Sequence, residues 1–177
     1  TYADLLRDGQ TVVSRSTLPV GMVSRTREIL RERAGDDVDF TVFPERLAEG
    51  KAVEEIRSLP KIVGVDNESG ERALRSLLEP LDCPVRVTTP ETAMLVKLID
   101  NAYRDAVFSI ANQIAYTADQ LGLDAHEAIE LANRDYPRND IPTPGTVGGK
   151  CLPKDPHFLM DEWVCDQPTT PDLFNAT

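Results

Sequence analysis

Residues 10–43 read QTVVSRSTLPVGMVSRTREILRERAGDDVDFTVF, and this stretch decides the fold class. Its first segment, QTVVSRST, and its last, VDFTVF, are rich in β-branched and aromatic residues and predict two short strands. The intervening GMVSRTREILRERAG predicts a helix that ends at Gly35, because glycine is common just past a helix C-terminus. A strand, a helix and a strand at this spacing form a βαβ unit, with parallel strands and a right-handed crossover. The sequence therefore predicts an α/β protein.

The segment up to residue 89 continues this alternation. KIVGVD at 61–66 and PVRVTT at 84–89 predict two further strands, and ESGERALRSLLEPL at 68–81 predicts a helix between them. The polar stretch PERLAEGKAVEEIRSLP predicts a loop followed by a short helix. No GxGxxG fingerprint precedes the first strand, so in a dinucleotide-binding fold we expect the first half to be missing from these residues.

A long helix is predicted after residue 89. Thr89 supplies a hydroxyl cap, Pro90 suits the first helical position, and Glu91 places an acid in the first turn. The chain then runs to Gly122 without proline or glycine. Asp124 predicts a second, shorter helix, and residues 135–150, with three prolines and three glycines, predict a loop. We therefore expect residues 90–177 to form an all-α domain built on one long helix.

The composition excludes some classes of partner. The 177 residues carry 19 basic and 30 acidic side chains, a net charge of −11, which argues against nucleic acid and anionic membranes. Only five of the basic residues are lysines, so we hypothesise a halophilic source, with compositional drift as the alternative. The sequence has no apolar run long enough to span a bilayer and no signal segment, and we expect a cytoplasmic protein.

The loop GTVGGKCLPKDP, residues 145–156, holds the most distinctive cysteine. It is a poor phosphate loop, because only three residues separate Gly145 from Gly149 and a cysteine replaces the hydroxyl residue. Neither histidine stands at ligand spacing from a cysteine, so we expect no metal. Thiolate nucleophiles are favoured by nearby cations, and Cys151 has Lys150 and Lys154 on either side. We therefore predict a reactive Cys151, whereas Cys83 and Cys165 fit the ordinary role of small buried residues.

Lys97 and Asn101 are four residues apart in the predicted long helix and share a face. The neighbours of Lys97 are mostly apolar. Its ammonium group either extends to solvent or serves as a partly buried cation that stabilises an oxyanion. Helix geometry leaves both readings open, although the scarcity of lysine favours a specific role.

Five motifs, in this order, resemble the UDP-glucose/GDP-mannose dehydrogenase family of nucleotide-sugar 6-dehydrogenases. They are STLPVG at 16–21, PERLAEG at 44–50, KLIDNAYRDAVFSIANQIA at 97–115, LANRDYPR at 131–138 and GTVGGKCLPKDPHFL at 145–159. The resemblance implies that residues 1–89 are the second half of a Rossmann-like, parallel-sheet NAD-binding domain. It implies that residues 90–177 are the central dimerisation domain carrying the catalytic cysteine loop, and that a C-terminal nucleotide-sugar-binding domain is absent.

The resemblance also implies a role for each matching residue. A sugar C6 alcohol is oxidised to a carboxylate with two NAD+, through a thiohemiacetal and a thioester on Cys151. Lys97 and Asn101 stabilise the oxyanion, Asp155 handles protons, and Glu45 assists thioester hydrolysis close to the nicotinamide. Further implied cofactor contacts are Thr17 and Lys154, and the implied substrate contacts are Lys97, Asn101, Arg46, Leu47, Arg138, Gly148 and Gly149.

The resemblance favours UDP-N-acetyl-D-mannosamine as the substrate, because PER, NAYRD and LANRDYPR resemble the acetylmannosamine branch. The KD after the cysteine resembles the UDP-glucose branch, which makes UDP-glucose the alternative, and Lys150 departs from the acetylmannosamine pattern. We expect a homodimer through helix 90–121, and no turnover by these residues alone. Two other readings stay open: a catalytically silent dimerisation or scaffold fragment, and a related β-hydroxyacid dehydrogenase.

Overall fold

The computed structural model describes residues 2–147 and 149–159. The chain forms two compact units, Thr1–Leu98 and Ile99–Thr177. The first contains four strands, β1 (Thr11–Ser14), β2 (Asp39–Val42), β3 (Lys61–Val65) and β4 (Val85–Thr88), and three helices, α1 (Val20–Ala34), α2 (Ala52–Ser58) and α3 (Glu68–Leu78). Helix α4 (Pro90–Leu121) begins in the first unit and ends in the second, which also contains α5 (Ala125–Asn133) and α6 (Asp155–Leu159). The division into domains at residues 89 and 90 stays a prediction.

The strands form one sheet in the order β1-β2-β3-β4. The predicted βαβ unit is confirmed, since β1 and β2 pair in parallel with Val12 opposite Phe40. A further main-chain hydrogen bond of 2.9 Å from Phe43 N to Ser14 O extends this pairing one residue past the end of β2. The sheet and the long helix agree with the predicted fold class.

One pair of strands departs from the expected parallel arrangement: β2 and β3 are antiparallel, with Val42 opposite Gly64. The connecting segment folds on itself. Ala48 N donates to Glu55 Oε2 at 2.6 Å, and Lys61 Nζ donates to Glu55 O at 3.2 Å. Because this segment stays at the edge where β2 ends, β3 begins there and runs in the opposite direction.

The two faces of the sheet bury separate apolar clusters. One consists of Val23, Phe40, Val42, Ala93 and Met94, and the other of Phe43, Val63, Leu74 and Leu78. Side chains alternate between faces along a strand, so α1 and the first turns of α4 cover one face and α3 covers the other. Each large side chain buried in this way contributes about 1.5–3 kcal/mol to folding.

Helix α4 starts as the sequence predicts. Thr92 N donates to Thr89 Oγ1 at 3.2 Å, which is the predicted hydroxyl cap. The first turn lies against β3 so closely that a Cβ atom added to Gly64 would be 2.4 Å from Pro90 Cα. Glycine at position 64 therefore allows the contact between β3 and α4.

A partly buried ion-pair network holds the start of α4. Arg27 of α1 places Nε 2.6 Å from Asp66 Oδ2 and an NH2 nitrogen 2.6 Å from Glu91 Oε1. The Ser24 hydroxyl donates to the same Glu91 oxygen at 2.8 Å. Burial of Glu91 favours its neutral form, but hydrogen bonds from its own backbone amide, Ser24 and Arg27, with the Arg27 charge, outweigh this. The pKa of Glu91 is consequently lowered.

In its described residues, the second unit contains the rest of α4 and two shorter helices. Asp124 caps α5 as predicted, because its Oδ1 accepts hydrogen bonds from His126 N at 2.8 Å and Glu127 N at 3.2 Å. Helix α6 begins four residues after Cys151 and was not assigned from the sequence. Within the described part of the chain, no helix is long and apolar enough to cross a membrane.

Candidate active site

The site residues predicted in the first unit follow β1 and β2. Thr17 lies three residues after the end of β1, and Glu45 lies three residues after the end of β2. Parallel neighbouring strands end at the same edge of a sheet, which is where ligands bind in open α/β folds. The fold therefore brings the STLPVG and PERLAEG segments to one edge.

Glu45 is held on both of its carboxylate oxygens. Its Oε2 forms a very short ion pair with an NH2 nitrogen of Arg15, and its Oε1 accepts from Leu47 N at 2.9 Å. The Arg15 guanidinium also lies over the Phe43 ring, 4.5 Å from its centroid. Arg15 is not among the residues predicted from the sequence, although its position just before Ser16 and Thr17 is a signal for it.

A cavity of about 210 Å³ lies beside this pair in the first unit. Its walls are mostly apolar, with Ile56, Ile62 and Leu78 among the lining residues. Three predicted site residues, Glu45, Arg46 and Leu47, also line it. The PERLAEG segment therefore combines charged groups with an apolar wall, which is the usual composition of a small-molecule site.

Lys97 and Asn101 both lie in α4, one helical turn apart. Lys97 is partly buried. Asn101 is only 5% exposed. The partial burial is compatible with both roles considered for Lys97, and the oxyanion role stays a prediction.

Asn101 and Asp155 meet within the second unit. The Asn101 Nδ2 group donates a hydrogen bond of 2.5 Å to Asp155 Oδ2, and Asp155 is fully buried. The other carboxylate oxygen, Oδ1, forms a very short ion pair with Lys154 Nζ. A buried carboxylate needs such partners, because an isolated buried charge is strongly unfavourable. Two predicted catalytic residues that are 54 positions apart are therefore in direct contact.

Lys154, a predicted cofactor contact, makes two contacts next to the cysteine loop. Its ammonium group pairs with Asp155 and lies 4.6 Å from the centroid of the Phe158 ring. Both contacts are within the second unit. They hold Lys154 beside α6, and its role as a cofactor contact stays a prediction.

Cys151 is exposed and sits on a tight turn. Its carbonyl oxygen accepts hydrogen bonds from Lys154 N at 3.1 Å and Asp155 N at 2.9 Å, which joins the cysteine to the start of α6. Gly149 has a φ of +93°, a conformation that favours glycine. Gly148, a predicted substrate contact, lies outside the described residues. The thiol is thus accessible while its backbone is fixed, whereas Cys83 is only partly exposed.

A second residue of α4 holds the beginning of the cysteine loop. Asn112 Nδ2 donates to Gly145 O at 2.9 Å, and Gly145 N donates to Asn112 Oδ1 at 2.8 Å. Asn112 is not among the residues predicted from the sequence. The available signal was its spacing from Asn101, because eleven residues make about three turns and place both side chains on one face of a helix.

Arg138, a predicted substrate contact, is folded against its own loop. Its Nε donates to the Tyr136 hydroxyl at 2.8 Å, and its guanidinium carbon lies 4.4 Å from the Tyr136 ring centroid. These contacts are local to the LANRDYPR segment. The substrate role of Arg138 stays a prediction.

Asp105, one turn beyond Asn101 in α4, is a further buried carboxyl group in the second unit and is 5% exposed. Burial raises its pKa, and the nearby charge of His157 on α6 opposes the rise.

In the described ranges, 2–147 and 149–159, no group of three or more histidine, cysteine or carboxylate side chains could hold a metal ion.

The sheet and the long helix match the fold of Rossmann-like dehydrogenases, and comparison with known proteins gives the family. The sequence model of the UDP-glucose/GDP-mannose dehydrogenase family, NAD binding domain, matches residues 1–82. The model of the same family's central domain matches residues 91–176. The chain belongs to the UDP-glucose/GDP-mannose dehydrogenase family, whose cofactor is NAD.

Similar proteins agree with this assignment. The chain is 37% identical over 169 residues to a UDP-N-acetyl-D-mannosamine dehydrogenase of Pyrococcus horikoshii, covering 90% of this chain and 40% of the relative. A solved structure of UDP-D-ManNAc dehydrogenase from Pyrococcus horikoshii superposes with a TM-score of 0.85 at 32% identity, covering 97% of this chain and 41% of that one.

A second similar structure is of an enzyme named for a different substrate. A UDP-glucose dehydrogenase from Pyrobaculum islandicum matches with a TM-score of 0.70 at 29% identity, covering 82% of this chain and 35% of that one. The chain thus spans about two fifths of the length of the curated relative it matches at 37% identity. The comparisons give the family, and the particular substrate is a separate question.

Proposed function

We propose that this chain is part of a longer NAD-dependent enzyme that oxidises UDP-N-acetyl-D-mannosamine to UDP-N-acetyl-D-mannosaminuronate. NAD+ supplies the hydride acceptor, and two hydrides leave the sugar C6 carbon in succession. The observation that carries the proposal is the contact between Asn101 and the buried Asp155, four residues after the exposed Cys151. This arrangement fixes a carboxylate and presents a thiol on one short segment.

Cys151 is the proposed nucleophile. Its thiolate adds to the aldehyde carbon formed by the first oxidation, and the resulting thiohemiacetal loses the second hydride to become a thioester. Water then attacks the thioester carbonyl carbon, the C–S bond breaks, and the thiolate is regenerated with release of the carboxylic acid. Asp155 exchanges protons with the reacting oxygen through water.

Lys97 and Asn101 are proposed to stabilise the alkoxide that forms when the thiolate adds. A fixed ammonium group and a fixed amide N–H lower the energy of a developing negative charge. Asn101 is already oriented by its bond to Asp155. Glu45 is the proposed base for the hydrolytic water.

The residues fit the nicotinamide end of NAD by the chemistry of their donors. Thr17 offers a hydroxyl group and Glu45 a carboxylate, and both follow parallel strands at the edge where such folds bind nucleotides. Lys154 completes the proposed cofactor contacts. Arg46, Leu47, Arg138, Gly148 and Gly149 are proposed to contact the nucleotide sugar.

The test uses the protein expressed from the complete gene. It is assayed with UDP-N-acetyl-D-mannosamine, UDP-glucose and GDP-mannose side by side, and NADH is counted per molecule of sugar consumed. We expect two NADH per sugar and the highest kcat/KM with UDP-N-acetyl-D-mannosamine. A single NADH per substrate would point instead to a β-hydroxyacid dehydrogenase.

UDP-glucose is the second candidate substrate. The pair Lys154 and Asp155 after the cysteine favours it, because this KD sequence resembles the UDP-glucose branch. A kcat/KM for UDP-glucose above that for the acetylated sugar would decide for this alternative.

Alkylation distinguishes the enzyme from a catalytically silent scaffold. We expect iodoacetamide to modify Cys151 about tenfold faster than Cys83 near neutral pH, since nucleophilic cysteines are exposed and lie near cations. Peptide mass spectrometry after timed quenching measures both rates. Equal rates would favour the scaffold.

We also infer self-association through α4. In the second unit, Ile99, Tyr103 and Ile110 share one face of the helix and are 50%, 65% and 49% exposed. When such a face pairs with a second copy of the chain, its apolar surface is removed from water. Analytical ultracentrifugation should give a dimer, and Tyr103→Lys should shift it toward monomer, whereas the same substitution at exposed Tyr116 serves as the control.

The source and the cellular location of the enzyme are also part of the proposal. The acidic, lysine-poor composition leads us to propose a halophilic source. We also propose that the enzyme is cytoplasmic. A halophilic protein should gain thermal stability when potassium chloride is raised to molar concentration. An unchanged or lower Tm would contradict the halophilic assignment.

A further inference from the structure

Arg15 connects the segments that follow the two parallel strands of the first unit. It is the first residue after β1, and it pairs with Glu45, the third residue after β2. Its guanidinium is also stacked on Phe43 at 4.5 Å. The planar guanidinium is thus oriented by the ring and by the carboxylate together.

The Arg15–Glu45 pair contributes little to folding. Both side chains are about half exposed, at 50% and 48%, and exposed ion pairs contribute about 0–1 kcal/mol. What the pair determines is the orientation of Glu45. Arg15 holds Oε2 and the Leu47 amide holds Oε1. A carboxylate has about four lone-pair positions, so Glu45 keeps the capacity to accept a hydrogen bond from water.

We propose that Arg15 is a positioning residue that orients Glu45 for hydrolysis of the thioester. This inference rests on the proposed function. Glu45 takes a proton from the water molecule as the water oxygen bonds to the thioester carbonyl carbon. The C–S bond breaks, the electron pair leaves on the Cys151 sulfur, and the acid is released. A shift of about 1 Å in such a base lowers a rate on the order of 10²-fold.

The experiment separates hydrolysis from the two oxidations in the complete enzyme. In Arg15→Met, stopped-flow absorbance should show two NADH formed per site at the unsubstituted rate. Steady-state turnover should then fall on the order of 10²-fold. Intact mass spectrometry should show the acyl group retained on Cys151. Glu45→Gln should accumulate the same adduct, and the double variant should be no slower than Glu45→Gln.

Two further variants keep the outcome decisive. Arg25→Met removes a comparably exposed pair, Arg25 with Glu28 at 3.0 Å, and should leave every step unchanged. If Arg15→Met does not fold, Arg15→Lys is used, which keeps the charge and loses the planar fork, and slower hydrolysis is again expected.

Three results would overturn the inference. A normal rate of thioester hydrolysis in Arg15→Met or Arg15→Lys would refute this inference and leave the proposed function standing. An equal slowing of both oxidations and of hydrolysis would also refute only this inference, because it would assign Arg15 to ligand binding. Failure of the unsubstituted enzyme to form NADH with any nucleotide sugar refutes the proposed function, and the inference with it.

Discussion

Asn101 Nδ2 lies 2.5 Å from Asp155 Oδ2, and this hydrogen bond joins the long helix to the segment that carries Cys151. Both side chains are almost completely buried, at 5% and 0% exposure. Asp155 N also donates to Cys151 O, so the residue that contacts Asn101 through its carboxylate is bonded to the cysteine through its backbone. The contact therefore couples the position of the thiol to α4.

Removing the Asp155 carboxylate should destabilise the second unit and abolish most activity. Asp155→Ala leaves the buried Asn101 amide without this acceptor, which costs about 1–3 kcal/mol. Urea denaturation measures the loss, with the exposed Asp140→Ala as the control. In the complete enzyme, kcat should fall at least about 10²-fold. Wild-type stability in Asp155→Ala would mean that the contact is not maintained in solution.

Substitution of Asn112 should loosen the start of the cysteine loop. Asn112→Ala removes the bonds to Gly145 N and Gly145 O, each contributing about 0.5–1.5 kcal/mol. Hydrogen exchange should show the Gly145 amide losing protection about tenfold, because 1.4 kcal/mol corresponds to a factor of ten. The neighbouring exposed Gln113→Ala should leave this amide unaffected. Equal protection in both variants would contradict the assigned role.

A methyl group at position 64 should separate β3 from α4. In Gly64→Ala the new Cβ would lie 2.4 Å from Pro90 Cα, so backbone must move. Overpacking of this kind costs about 1–3 kcal/mol. Thermal unfolding gives the value, and Gly145→Ala is the control, because a Cβ there meets nothing within 4 Å. A Tm within one degree or so of wild type would show that the strand and helix are less closely packed.

Glu91 should make the first unit sensitive to acid. Its pKa is lower in the folded protein than its ordinary value of 4.5, so its contribution to stability is present above that value. The contribution is lost as the pH falls through the lowered pKa. Glu91→Gln should be less stable than wild type at pH 7, and the two should converge once the pH has fallen below the lowered pKa of Glu91. Parallel stability curves across this window would contradict the assignment.

Ionisation of Asp105 has the opposite effect on folding stability from ionisation of Glu91. Its pKa is raised above 3.8 by burial, so its ionisation at neutral pH opposes folding, and this effect fades as the pH falls through the raised pKa. The pH comparison for Glu91 is therefore best repeated in an Asp105→Asn background. The difference between Glu91→Gln and its parent should be the same in both backgrounds, since the two groups are in separate units.

Local sequence determined the elements of this protein. The periodicity of apolar residues predicted β1, α1 and β2, and Thr89 with Pro90 predicted where α4 begins, because caps and propensities act over a few residues. The motifs around Glu45 and Cys151 likewise predicted candidate site residues by type and order. None of these inferences required knowing which segments meet in space.

Tertiary structure decided how distant segments meet. The direction of β3 depends on a connection that folds on itself, as shown by the Glu55 contacts, and strand periodicity is the same for parallel and antiparallel pairing. The bonds of Asn101 to Asp155, and the pairing of Arg15 with Glu45, span 54 and 30 positions. Such contacts follow from the packing of whole elements, whereas a sequence pattern specifies only which side chains are available to make them.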